Sequence, residues 1–170
     1  MGRGRVPLSA AVGADEIHRF FDVKVTGVRS STADTPSPSF SVAPLDCVFR
    51  NFRLLTTEDV VNAIRLLLDK QCMSDPLPTH LLKENVDVVA PFLVELFNRS
   101  LECGVVPTTL KAAYVTPLLK KSDLEPDDVK SYRPISNLSV SSKLLKRFVA
   151  RQLIDYLTAF KLFPELQSAY

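Results

Sequence analysis

Residues 111–151 read KAAYVTPLLKKSDLEPDDVKSYRPISNLSVSSKLLKRFVAR, and the order of signals in this stretch decides the fold. The apolar run Ala112–Leu119 lacks helical periodicity and holds Tyr114, Val115 and Thr116. It predicts a short strand, which Pro117 confines to a sheet edge or a bulge. An acidic turn, Ser122–Asp128, follows, and Val129–Ile135 is expected to return antiparallel to the first strand. Ser139, Ser141 or Ser142 then offers a cap for a helix reaching about Leu157. Leu144, Leu145, Phe148, Val149, Leu153 and Tyr156 form its apolar side. Lys143, Arg147 and Arg151 recur every fourth residue, a basic stripe with Lys146 beside it.

Charge is unevenly placed. The stretch holds nine Lys and Arg against four Asp and Glu, a balance of +5 in a chain whose total is +2. The rest of the chain is therefore acidic, and the concentrated positive charge is the footprint expected where phosphate approaches. The composition, 46% hydrophobic and 24% charged over 170 residues, is that of a globular protein able to bury a core. No apolar run approaches the roughly 20 residues of a membrane span, so no membrane is expected as a partner. Residues 1–13 stay unassigned: Arg3 and Arg5 precede a weakly apolar patch that Pro7, Ser9 and Gly13 interrupt. Cys47, Cys72 and Cys103 are far apart, with only His18 and His80 as other soft ligands. They read as reduced thiols of an intracellular protein, not as a zinc site.

Upstream, residues 14–55 are expected to hold a lead-in helix and a Ser/Pro-rich linker. Ile17, Phe20, Phe21, Lys24 and Val28 have helical spacing, with Asp15 and Glu16 in the first turn. From Ser30 to Pro44 the chain reads as an extended linker or as a loop on the domain surface. Residues 56–110 form a helical region. A helix is predicted over Thr56–Gln71, capped by Thr56 or Thr57, with a short one over Thr79–Glu84. A third is capped by Asp87, with Pro91 near its first turn and Val88, Val89, Phe92, Leu93, Leu96, Phe97 and Leu101 on its buried face. Gly104 stops it and Pro107 reinforces the stop. Residues 111–170 complete an α+β chain, predominantly α: several packed helices and a small β-hairpin.

No catalytic constellation emerges. Asp127-Asp128 is the adjacent carboxylate pair, but it lies in a polar turn without a third acid directed at it. The chain has no G-x-G phosphate loop, and neither histidine has a neighbouring nucleophile. What remains is a cationic surface. Lys120, Lys121, Arg133, Lys143, Arg147 and Arg151 could face phosphate together; an ordinary solvated helix face, with Arg133 stacked on Tyr132, fits equally well.

The phrase YRPISNLS, preceded by VTPLLKK and followed by SKLLKRFVARQLIDYL, resembles the reverse transcriptases of LINE-type (non-LTR) retrotransposons, in the chicken-repeat-like and jockey-like group. SDPLPTHLLKENVDVVAPFLVELFNRSLECGVVP resembles the segment leading into that domain, and Leu166–Tyr170 its next block. The resemblance implies the fingers part of a right-hand polymerase, truncated before the palm. It places Arg133, with Lys120 or Lys121, near the incoming triphosphate or the template, and makes Lys143, Arg147 and Arg151 backbone-contact candidates. It implies no metal ligand or cofactor in this chain; magnesium is expected only for the full-length polymerase, whose metal-binding aspartates this chain lacks. The implied partner is an RNA or DNA template-primer, bound weakly, with no catalysis by the chain alone. The alternatives are a helical protein-interaction module, self-associating through the apolar side of the Leu144–Tyr156 helix, and a non-functional remnant of a retroelement reading frame.

Overall fold

The computed structural model describes residues 12–37, 47–68, 75 and 77–163. The chain is α+β and mostly helical, and it divides into two compact units. Unit 1 takes residues up to Ser41 together with Tyr114–Asn137; unit 2 takes Val42–Ala113 and the residues from Leu138.

Unit 2 is built on helices α2 (Thr57–Arg65), α3 (Thr79–Glu84), α4 (Val86–Cys103), the short turn α5 (Thr108–Lys111) and α6 (Val140–Ala159). Val86, Ala90, Leu93, Phe97 and Leu101, spaced by three and four, form the buried stripe of α4. Val60 and Ile64 of α2, Leu82 of α3, and Leu144 of α6 join Phe97 at the centre of the core. Two residues expected on the buried face of α4 are outside it: Val88 is 67% exposed and Phe92 75%. Phe92 lies three and seven residues before Glu95 and Arg99, and Val88 seven before Glu95, so both share the polar side of α4 despite their own apolarity. Pro91 lies inside α4, not in its first turn, and Asn85 takes the cap position expected of Asp87. Pro91 and Asp87 are both exposed, so the Asp87 carbonyl that loses an N–H partner faces solvent.

Helix ends follow side-chain chemistry. Thr56 Oγ1 accepts from the Asp59 N–H at 3.1 Å and the Asp59 carboxylate accepts from the Thr56 N–H at 2.9 Å, a complete capping box. Arg53 Nη1 lies 3.0 Å from Asp59 Oδ2. The hydrogen bond from Arg53, then that from the Thr56 backbone, pulls the Asp59 carboxyl down to about 2. Helix α2 stops at Arg65, short of the expected Gln71; a tight turn, Leu67 N–H to Ile64 O, lets Leu67 fold back towards the core. Residues 69–71 lie outside the described residues. Gly104, at φ 64°, ends α4 in the left-handed conformation that glycine adopts without a Cβ penalty. Ser139 caps α6, accepting from the Ser142 N–H, while buried Asp75 reaches the Val140 N–H at 2.7 Å. A carboxylate at that end also suits the helix dipole.

The segment before α2 has no regular structure, so its backbone needs outside partners. Side-chain amides supply them. Leu55 N–H donates to Asn98 Oδ1 at 2.7 Å and Asn98 Nδ2 donates to Leu55 O at 3.0 Å. Gln152 of α6 treats Arg53 in the same way, at 2.7 and 3.0 Å.

Unit 1 contains α1 (Ala14–Ser31) and an antiparallel hairpin of β1 (Ala113–Leu119) and β2 (Tyr132–Leu138), whose outermost residues Ala113 and Leu138 fall to unit 2. Residues 129–131, expected at the start of the second strand, form a 3-10 turn instead, which moves β2 three residues along. Asp128 is the reason. Its side chain accepts the Lys130 N–H at 2.8 Å and its carbonyl accepts the Ser131 N–H at 2.9 Å, closing a turn where a strand was expected. The Lys120 N–H then meets Ser131 O at 2.9 Å. Ser30 and Ser31, read as linker, are the last turn of α1, and residues 38–44 of that linker lie outside the described residues.

The apolar side of α6 expected to be uncovered is largely covered by the chain itself. Leu144 and Leu145 are in the core, Phe148 packs against Phe97 at 6.0 Å, and Tyr156 against Phe49 at 5.2 Å. Leu153 and Ile154 remain exposed.

Three expectations test this arrangement by urea denaturation. Phe97→Ala lowers the unfolding free energy by about 3–5 kcal/mol, whereas Phe92→Ala changes it by no more than about 0.5 kcal/mol. Asn98→Ala costs about 1–3 kcal/mol, because two backbone groups of Leu55 lose their partners. Asp59→Ala costs about 1 kcal/mol at neutral pH, the usual size of a lost cap. The folded Asp59 carboxyl titrates below its unfolded value of about 3.9. Its contribution is therefore complete above about pH 4 and disappears as pH falls towards 2, where wild type and variant converge.

Candidate nucleic-acid interface

The hairpin positions Lys120, Lys121 and Arg133 at its turn end. Lys120 is the first residue past β1, and its Nζ donates to Lys130 O at 2.5 Å, which draws the ammonium back across the turn. Arg133 is exposed, and its neighbours hold its backbone. Tyr132 is buried and its Oη donates to Pro126 O at 2.8 Å, while Pro134 restricts the conformation of Arg133 itself. The guanidinium makes no ion pair or side-chain hydrogen bond among the described residues. Its fork of donors is thus free to meet a phosphate.

Lys120 and Arg133 line one cleft of about 490 Å³ within unit 1. Tyr132 and Pro134 form part of its wall, and Phe21, Lys24, Val25, Val28 and Arg29 of α1 form the rest. Lys121 is exposed but does not line this cleft. Neither Lys24 nor Arg29 was read as a site residue from the sequence: Lys24 counted only for its helical spacing with Ile17, Phe20, Phe21 and Val28, and as the charge among them it was the available signal.

The other candidates belong to unit 2. Arg147 and Arg151 line a groove of about 380 Å³ together with Arg53, Asn62 and Gln152. Asp59 and Asp155 line it too, so its charge is mixed. Lys143, in the first turn of α6, is exposed and lines neither groove. The stripe of three read along the helix therefore divides into a grooved pair and a separate lysine.

The acidic turn is structural where its bonds are seen. Asp128 is committed to the Lys130 N–H, and among the described residues no three His, Cys, Asp or Glu side chains gather as a metal site would need. Among the described residues no helix is long and apolar enough to cross a membrane.

No protein-family model matches the chain. Over 117 residues, 68% of its length, the chain is 31% identical to the RNA-directed DNA polymerase from mobile element jockey of Drosophila melanogaster. It is 31% identical, over an equal span, to the probable RNA-directed DNA polymerase from transposon BS of the same species. Identity to the jockey polymerase of Drosophila funebris is 27%. The matched segment covers 13% of the length of each of these relatives. The ordered phrases around YRPISNLS and this similarity agree, and the chain belongs to the jockey-like reverse transcriptases of LINE-type retrotransposons, of which it carries a segment.

Proposed function

We propose that this segment is the fingers region of a retrotransposon reverse transcriptase, and that its hairpin grips the phosphates of a template strand or an incoming nucleoside triphosphate. The observation that carries the reading is the shared cleft of Lys120 and Arg133, with Arg133 exposed and unpaired among the described residues. Arg133 supplies two parallel N–H donors to one phosphate, and Lys120 adds a point charge. Lys121 lies next to this pair and adds to the local field. Arg147 and Arg151 make a secondary contact that Asp59 and Asp155 weaken. Lys143 adds a single exposed charge. The reading gives this segment no catalytic step, and the partner is a template-primer held by charge and not by base contacts.

A second reading, a protein-packing surface, is favoured by the exposed Val88 and Phe92, one turn apart on α4. Large apolar side chains in such positions gain roughly 1.5–3 kcal/mol each when covered. In this reading α4, not α6, supplies the surface for self-association.

Filter binding of a primed RNA template across a salt series tests the first reading. Affinity falls steeply with salt, because each phosphate neutralised releases counterions, and the slope drops by about 0.7–0.9 for each contact removed. The double variant Arg133→Ala with Lys120→Ala therefore lowers the slope by about 1.4–1.8 and the affinity by about tenfold or more. Arg147→Ala with Arg151→Ala has a smaller effect. Affinity indifferent to salt, or unchanged in the first double variant, overturns the reading.

A further inference from the structure

The unit 1 cleft holds more than a phosphate grip requires. The uncharged part of its lining, here called its floor, is apolar: Phe21, Val25, Val28 and Pro134, with Tyr132. The Tyr132 hydroxyl is already committed to Pro126 O, so it offers nothing to an occupant. Four cations line it, Lys24 and Arg29 from α1 and Lys120 and Arg133 from the hairpin, and among the described residues no carboxylate does. Lys24, Arg29 and Arg133 make no ion pair among the described residues. An apolar floor beneath an unneutralised cationic rim fits an occupant with an apolar body and negative charge on each side.

Size alone admits either a bulky side chain or a nucleobase. Chemistry separates them. The edges of a base carry both donors and acceptors, whereas Lys and Arg only donate. Among the described residues no Asn, Gln, Ser or Thr lines the cleft to accept from a base, so donors covered there would lack side-chain partners, at a cost in free energy. Nor is the Tyr132 ring open for stacking, being 3% exposed. An apolar side chain flanked by carboxylates meets neither difficulty.

We propose that this cleft docks an acidic peptide segment of a protein partner, which inserts one bulky apolar side chain between α1 and the hairpin and lays its carboxylates on Lys24, Arg29, Lys120 and Arg133. Lys120 and Arg133 are also the cations assigned above to nucleic-acid phosphate, so peptide and nucleic acid compete for the same rim. The apolar floor is what distinguishes the two ligands.

The test uses the full chain and fluorescence anisotropy, with a labelled peptide of one phenylalanine set among glutamates as the probe. Saturable binding is expected, and replacing the phenylalanine by alanine weakens it about tenfold, the loss expected for one apolar anchor. Val28→Asn, a neutral change at an exposed floor position, weakens the phenylalanine peptide by a similar factor. Val23→Asn, on the same helix but away from the cleft, leaves it unchanged. Circular dichroism confirms that both variants keep their helix. Absence of saturable binding overturns the proposal, as does equal affinity for the alanine peptide or an equal effect of the two substitutions. A labelled oligothymidine whose binding depends on Val28, when the peptide's does not, replaces the proposal with a single-strand base pocket. Salt-sensitive nucleic-acid binding that survives Val28→Asn leaves the phosphate-grip reading standing whichever way the peptide result falls.

Discussion

Two side-chain amides carry a constraint on which much of unit 2 depends. The stretch just before α2 has no regular structure, and at buried Leu55 its peptide groups would otherwise remain unpaired away from water. Asn98 on α4 and Gln152 on α6 each offer an acceptor and a donor in the spacing of a peptide bond, and each pairs with both backbone groups of one residue. The segment is thus held to two helices at once. Leu55 can be buried there with its polar backbone satisfied, and the Thr56 cap is delivered to the start of α2. The same logic recurs at α6, where Asp75, far away in sequence, completes the helix end. Each of these links joins residues whose separation along the chain is large, and each uses a polar group to make apolar packing affordable.

Unit 1 is organised differently. It has few buried apolar side chains in its described part, notably Val12, Ile17 and Tyr132, and it relies on local bonding in the acidic turn. Asp128 shapes the 3-10 turn, Tyr132 reaches back to Pro126, and Lys120 reaches across to Lys130. These bonds determine where the cations at the turn end lie. Asp128, one of the two adjacent acids, is therefore part of the frame that presents positive charge.

Family membership and site geometry bear on different questions. The similarity to jockey and BS polymerases covers 117 residues of chains far longer than this one, and it establishes ancestry. Which cations act together is a matter of placement. Lys120 and Arg133 share a cleft with two cations of α1, Lys24 and Arg29, while Arg147 and Arg151 share a groove with Arg53, Asp59 and Asp155. Carboxylates beside an arginine partly cancel the field it presents to a phosphate. The hairpin pair is consequently the stronger candidate, although the stripe on α6 is the more conspicuous pattern in the sequence.

Much of the local structure was legible in the residues themselves. Thr56 with Asp59, Gly104, and Ser139 mark helix ends through chemistry that acts over a few residues. The hairpin was visible as two short runs around an acidic turn, and the concentration of positive charge could be counted. The misplacements also have local causes: the Asp128 turn displaced β2, and Val88 and Phe92 sit on the side of α4 that carries Glu95 and Arg99. Only tertiary structure could decide that Phe92 faces solvent while Phe97 is enclosed, that Asn98 and Gln152 serve the backbone of a distant segment, and that Lys24 and Arg29 stand beside Arg133. The reason is physical: capping and turn formation are settled by neighbours along the chain, whereas burial and charge clustering depend on which distant surfaces meet.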